Sequence, residues 1–187
     1  MIGDKPNHFD RLILIGMPCS GKSSIGKYLA QRYRLEFYDM DEEIVKAANM
    51  SIQEIFASKG EAAFRELETQ VTISLSEKRN ALIATGGGIV TRENNMQYFK
   101  SPGSLIVFIH RDFYKLATTP KRIMDKRPML RKTSFDKLLN LYKTRLPLYR
   151  KYCDLEIHND SNKDDAIRDI TRAIDQYQKV KDETSDV

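Results

Sequence analysis

Cysteine and histidine are scarce in this chain of 187 residues, which holds two thiols, Cys19 and Cys153, and three scattered histidines. Two cysteines exclude a disulfide framework, and nothing in their spacing to the histidines reads as a zinc site. Long apolar runs are missing as well. No stretch approaches the ~20 residues that a membrane helix needs. The opening MIGDKPNHFDR lacks the apolar core of a secretory leader. Internal repeats, linkers and low-complexity segments are absent too. These absences point to one soluble domain, residues 1–180, in the reducing cytoplasm, with no membrane contact and a frayed polar tail over 181–187.

The net charge is only +5. That surplus suits a soluble surface or a small anionic ligand as well as it suits nucleic acid. The basic residues gather in one segment and at helix ends, with no aromatic platform between them, so nucleic acid is not expected as a partner.

Strand and helix signals alternate along the chain. LILI (12–15), EFYD (36–39), ALIAT (81–85), SLIVFIH (104–110) and LEIH (155–158) read as strands, the last at an edge. Helical spacing occupies 22–34, 41–48, 51–58, 61–79, about 112–118, 134–150 and 163–180. The expected fold is therefore α/β, a parallel sheet covered by helices on both faces. Ligands of such sheets bind beyond the carboxyl ends of the strands, and the informative residues cluster there.

The first cluster is Gly16-x-x-x-x-Gly21-Lys22-Ser23, between a strand and a helix. This is a P-loop in the context that the pattern requires. Its backbone N–H groups turn inward around phosphate oxygens, and the following helix adds its positive end. Lys22 reaches the outer phosphates, and the Ser23 hydroxyl is placed for Mg²⁺. The plainer reading, a glycine turn with a chance lysine, does not explain the flanking strand and helix.

Asp39 and Asp41 follow the second strand, and period-two geometry points both carboxylates to one side. One can serve a metal and the other a substrate hydroxyl. The structural alternative is Asp41 as a helix N-cap. Arg65, with Glu61 and Glu68 at helical spacing, reads by itself as a surface ion-pair ladder. Gly86-Gly87-Gly88 after an apolar strand suits a backbone that a ligand approaches closely. Arg145, in TRLPLY, reads as a cation near a helix end.

Taken in order, GMPCSGKSS, YDMDEEI, IFASKGEAAFRELE, TGGGIV, KRPML and RLPLY resemble the shikimate kinase family over about residues 10–170. The resemblance implies a three-layer α/β/α P-loop kinase with a five-stranded parallel sheet and a lid, about 118–133. It implies transfer of the ATP γ-phosphoryl group to the 3-hydroxyl of shikimate, on the way to chorismate and the aromatic amino acids. By position, ATP falls to Gly16, Cys19, Ser20, Gly21, Lys22, Ser23, Ser24, the lid residue Arg127 and the loop residue Asn162. Asp41 falls to the shikimate hydroxyls as candidate base. Arg65 and Arg145 fall to its carboxylate, Gly87 and Gly88 to its flank, and Pro18, Phe56 and Phe64 to its pocket wall. Mg²⁺ falls to Ser23 and Asp39. Lys22, Asp41 and Arg127 form the implied catalytic set, in a monomer. Two adenine-contacting arginines usual in the family are absent here, at Pro120 and Asn162. A kinase of another polyol acid such as gluconate, or a catalytically silent nucleotide-binding relative, stands as the alternative.

Overall fold

The computed structural model describes residues 7–119, 134–161 and 163–185. Five strands, β1 (Arg11–Ile15), β2 (Glu36–Asp39), β3 (Ala81–Ala84), β4 (Ser104–His110) and β5 (Leu155–His158), form one sheet. Its order is β2-β3-β1-β4-β5, and every neighbouring pair is parallel. The described helices are α1 (Lys22–Tyr33), α2 (Met40–Ala48), α3 (Ile52–Ser76), α4 (Glu93–Phe99), α5 (Phe113–Ala117), α6 (Phe135–Tyr152) and α7 (Lys163–Ser185).

The central strand shows why the sheet has two covered faces. All five residues of β1 are buried. Ile13 and Ile15 point into a core shared with α3, α4 and α6. Leu12 and Leu14 point into a second core shared with α1 and α7. A strand buried on both sides has no polar face, which is why LILI shows no alternation.

Four local features depart from the sequence reading. The helices expected at 51–58 and 61–79 join as α3, interrupted at Gly60, whose φ of 80° and ψ of 177° break the helical path. Ser51 and Glu54 form a reciprocal capping box at the start of this run. Helix α4 was not anticipated. Its sequence, ENNMQYF, is too short and asparagine-rich for a periodic signal, yet Met96 and Phe99 anchor it in the core. Arg145 lies in the interior of α6, seven residues before Tyr152 ends the helix, so it is not a C-terminal cation. Finally, α7 continues through Ser185, so most of the stretch expected to fray from 181 is helical. The expected lid lies outside the described residues from 120 to 133, and Arg127 with it.

Candidate functional site

The P-loop leaves β1 at Gly16 and enters α1 at Lys22. Gly16, Cys19 and Gly21 take positive φ values of 148°, 65° and 98°. At Cys19 the left-handed backbone is held by a residue with a Cβ, a conformation uncommon outside glycine. Among the described residues no side chain caps α1, and its first turn carries no acidic residue. Its N–H groups therefore face the loop as an anion site. The buried Lys22 ammonium donates to the carbonyls of Gly16 and Met17, each at 2.8 Å. Asn159, just beyond β5, braces the loop by donating to the Ser20 carbonyl at 2.8 Å. No sequence motif marks Asn159, because only folding carries the end of β5 to the P-loop.

Asp39, not Asp41, is the N-cap of α2: its Oδ1 accepts from the Asp41 N–H at 3.0 Å. Its other oxygen accepts from the Ser23 hydroxyl at 2.6 Å. The two groups assigned to Mg²⁺ are thus in contact. Both offer hard oxygen donors, the kind that ion takes, so the pair fits it. Asp41 sits in the first turn of α2, so strand periodicity does not govern its direction. Its carboxylate nevertheless lines the neighbouring cavity.

That cavity, of about 570 Å³ including its open mouth, lies between the P-loop and α3. Lys22, Asp41, Arg65, Arg145 and the Gly86–Gly88 backbone supply its polar wall. Pro18, Ile52, Phe56 and Phe64 supply the apolar wall. Phe56 and Phe64 pack with ring centroids 4.7 Å apart, although Gly60 breaks the helix between them.

Arg65 is buried, which corrects the surface-ladder reading. Its Nη1 donates to Glu68 at 2.9 Å, and Glu68 is only 1% exposed. Its Nη2 donates to the exposed Glu61 at 3.3 Å. Burial works against the Arg65 charge, but the two carboxylates more than offset it and hold the guanidinium above its ordinary pKa. Burial pushes the Glu68 carboxyl up, against the pull of Arg65, and the Asp41 charge adds to the rise. From the sequence Glu68 is only an ion-pair partner of Arg65. Its spacing from Arg65 was visible, but its place in the cavity wall was not.

Arg145 Nη1 donates to the Gly87 carbonyl at 3.0 Å, and Tyr149 donates to the same oxygen at 2.6 Å. Arg145 Nε is buried and has no partner among the described residues. Such orphaned donors are rare in folded proteins and mark a place for a ligand or water. The glycine run lets Arg65 and Pro18 pack directly against this backbone. A Cβ on Gly88 would lie 2.5 Å from Arg65 Nη1, and one on Gly87 would lie 2.5 Å from the Pro18 ring. The structure therefore brings together every assigned substrate residue, Asp41, Arg65, Gly87, Gly88 and Arg145, around one cavity beside the P-loop. Asn162, like Arg127, lies outside the described residues.

The chain matches the family model described as "Shikimate kinase" over residues 18–175. It is 38% identical over 165 residues to the shikimate kinase of Aquifex aeolicus, which spans 88% of this chain and 96% of the relative. Among solved structures, the shikimate kinase from Acinetobacter baumannii in complex with shikimate superposes with a TM-score of 0.80 at 31% identity, covering 90% of this chain and 92% of that one. A gluconokinase from Sinorhizobium meliloti shares the fold at a TM-score of 0.66 and 16% identity, covering 96% and 99% of the two chains. The fold is thus common to kinases of different acceptors, and the side chains in the cavity must decide between them.

Proposed function

The chain belongs to the shikimate kinase family, whose members are ATP-dependent kinases of shikimate, and we propose that the cavity beside its P-loop is where the γ-phosphoryl group passes to the shikimate 3-hydroxyl. One observation carries the residue assignment. Two buried guanidinium groups from separate helices, Arg65 and Arg145, wall the same cavity as Asp41 and Lys22. A small acid with a carboxylate at one end and hydroxyls at the other matches that polarity.

The carboxylate pairs with Arg65 and Arg145, arginine forks being apt partners for a planar anion. Arg145 Nε gains the partner it lacks. Glu68 holds Arg65 in place, so the clamp costs little reorganisation when substrate arrives. At the other end, Asp41 orients the attacking hydroxyl and takes its proton. The P-loop N–H groups, Ser20, Ser24 and the Cys19 backbone hold the phosphates. Lys22 exchanges its bonds to loop carbonyls for the outer phosphate oxygens and follows the charge as it shifts towards ADP. Mg²⁺, when bound, neutralises phosphate charge. Ser23 and Asp39 would hold it. Arg127 serves the same phosphates from the lid, on the strength of the KRPML motif. Cytoplasmic location and a monomeric state belong to the same proposal, and no described helix is long and apolar enough to cross a membrane.

A coupled ADP-release assay with shikimate, gluconate, an oligonucleotide or no acceptor tests the reading. Turnover with shikimate alone supports it. Turnover with gluconate, or none with any acceptor, overturns it.

A further inference from the structure

The three histidines are scattered in sequence, but the fold brings two of them together. His110 ends β4 and His158 ends β5, and the two residues are register partners. Glu156 lies two residues before His158 on β5, so it shares that strand's face. A nitrogen from each imidazole and one Glu156 oxygen lie within 4.8 Å of one another. His110 Nδ1 is 2.9 Å from Glu156 Oε1, and His158 Nε2 is 3.9 Å from the same oxygen.

The outer nitrogens are held as well. His110 Nε2 meets the Tyr142 hydroxyl at 2.7 Å, and His158 Nδ1 meets Asp160 Oδ2 at 3.2 Å. A metal-binding histidine commonly has its second nitrogen fixed by such a partner, which sets the tautomer and the ring direction. Asp160 is itself held, through its Oδ1, by the Asp112 N–H at 2.7 Å.

We propose that His110 Nδ1, His158 Nε2 and Glu156 Oε1 form a site for a borderline divalent metal ion of the zinc class. Two imidazoles and one carboxylate are a set that zinc takes, with solvent completing the coordination. His110 is buried, while the His158 side chain is 59% exposed, so one side stays open to water. The site is distinct in chemistry and place from the Ser23–Asp39 oxygen pair. Its ligands come from β4 and β5 rather than from the P-loop and β2. Arg150 is its built-in competitor. Its Nε donates to Glu156 Oε2 at 3.0 Å and its Nη2 to Oε1 at 3.0 Å. Arg150 is half exposed and free to turn so that it gives up Oε1 while its Nε keeps Oε2. Asn159, which braces the P-loop, follows His158 directly and donates its N–H to the His110 carbonyl at 2.7 Å. Metal binding therefore ties together the two strand ends behind the nucleotide loop.

Calorimetric titration of the full chain with Zn²⁺, after chelator treatment and without nucleotide, tests the proposal independently of kinase activity. The expected result is one saturable Zn²⁺ per chain, undisturbed by excess Mg²⁺. It is lost in His158→Ala and Glu156→Gln, weakened about tenfold in Tyr142→Phe, tightened in Arg150→Gln, and unchanged in His8→Ala. His158 is exposed, so its removal leaves the fold intact, as circular dichroism will show. Hydrogen exchange over 155–160 should slow on loading. The proposal is overturned if no saturable binding occurs, if His158→Ala and Glu156→Gln bind as the parent does, or if binding disappears instead in Cys19→Ser or Cys153→Ser.

Discussion

Gly88→Ala isolates the acceptor clamp. Gly88 has φ −95° and ψ −6°, a negative-φ conformation open to alanine, so the change brings no left-handed backbone penalty. The added methyl does not fit beside Arg65. It would stand 2.5 Å from Nη1, 2.9 Å from Nη2 and 3.1 Å from the central guanidinium carbon. Ordinary contact begins near 3.4 Å, so the guanidinium must retreat by about 0.9 Å. It cannot do so freely, because Glu68 holds Nη1 and is itself buried. A displacement of about 1 Å in a positioning group can cost about 10²-fold in rate. Loss of one charge-assisted hydrogen bond, roughly 1.5–3 kcal/mol, corresponds to a similar range of about 10- to 150-fold. The expected outcome is a fall of about 10- to 100-fold in kcat/KM for shikimate, with KM for ATP within about twofold of the parent. Steady-state kinetics with each substrate varied, and a melting curve to verify the fold, make the measurement. A folded variant with parental kcat/KM for shikimate would refute the clamp, and equal losses for both substrates would place the methyl's effect elsewhere.

Three further outcomes are expected. Lys22→Ala should reduce kcat by about 10²-fold or more at an intact fold, since its charge acts where negative charge shifts, and near-normal turnover would sink the P-loop assignment. Arg65→Lys keeps the charge but loses the planar fork, so calorimetry should show weaker shikimate binding with ATP binding hardly changed; equal weakening of both would indicate a purely structural ion pair. Arg127→Ala should cut kcat strongly, whereas Lys121→Ala should alter nucleotide affinity at most, and hydrogen exchange over 118–133 should slow only when nucleotide and shikimate are both bound. Small, equal effects with no exchange response would remove Arg127 from the machinery.

The architecture was legible because its signals are local. Apolar strands without alternation, helical stripes between them and glycines at strand ends declare a doubly covered parallel sheet in any part of the chain. The P-loop was legible for the same reason, since strand, loop, lysine and helix are contiguous. Short α4 was not, because seven residues carry too little periodicity, and only contact with the core makes ENNMQYF helical. The acidic pair shows a subtler limit. That two carboxylates follow β2 was plain, but which of them caps α2 depends on where the helix turns, and that turn belongs to Asp39.

What the sequence determined by itself was the inventory of groups and their order: a phosphate loop, two acids, two distant arginines and a glycine run. What only the tertiary structure decided was their company. Arg65 and Arg145 are 80 residues apart in the chain, and no local rule makes them neighbours of one cavity. Nor does any local rule bury Glu68, or set His110 beside His158 from strands 45 residues apart. The physical reason is that periodicity reports only how a segment faces its own surroundings. Which surroundings those are is set by sheet order, and sheet order is a property of the whole chain collapsing around two cores at once.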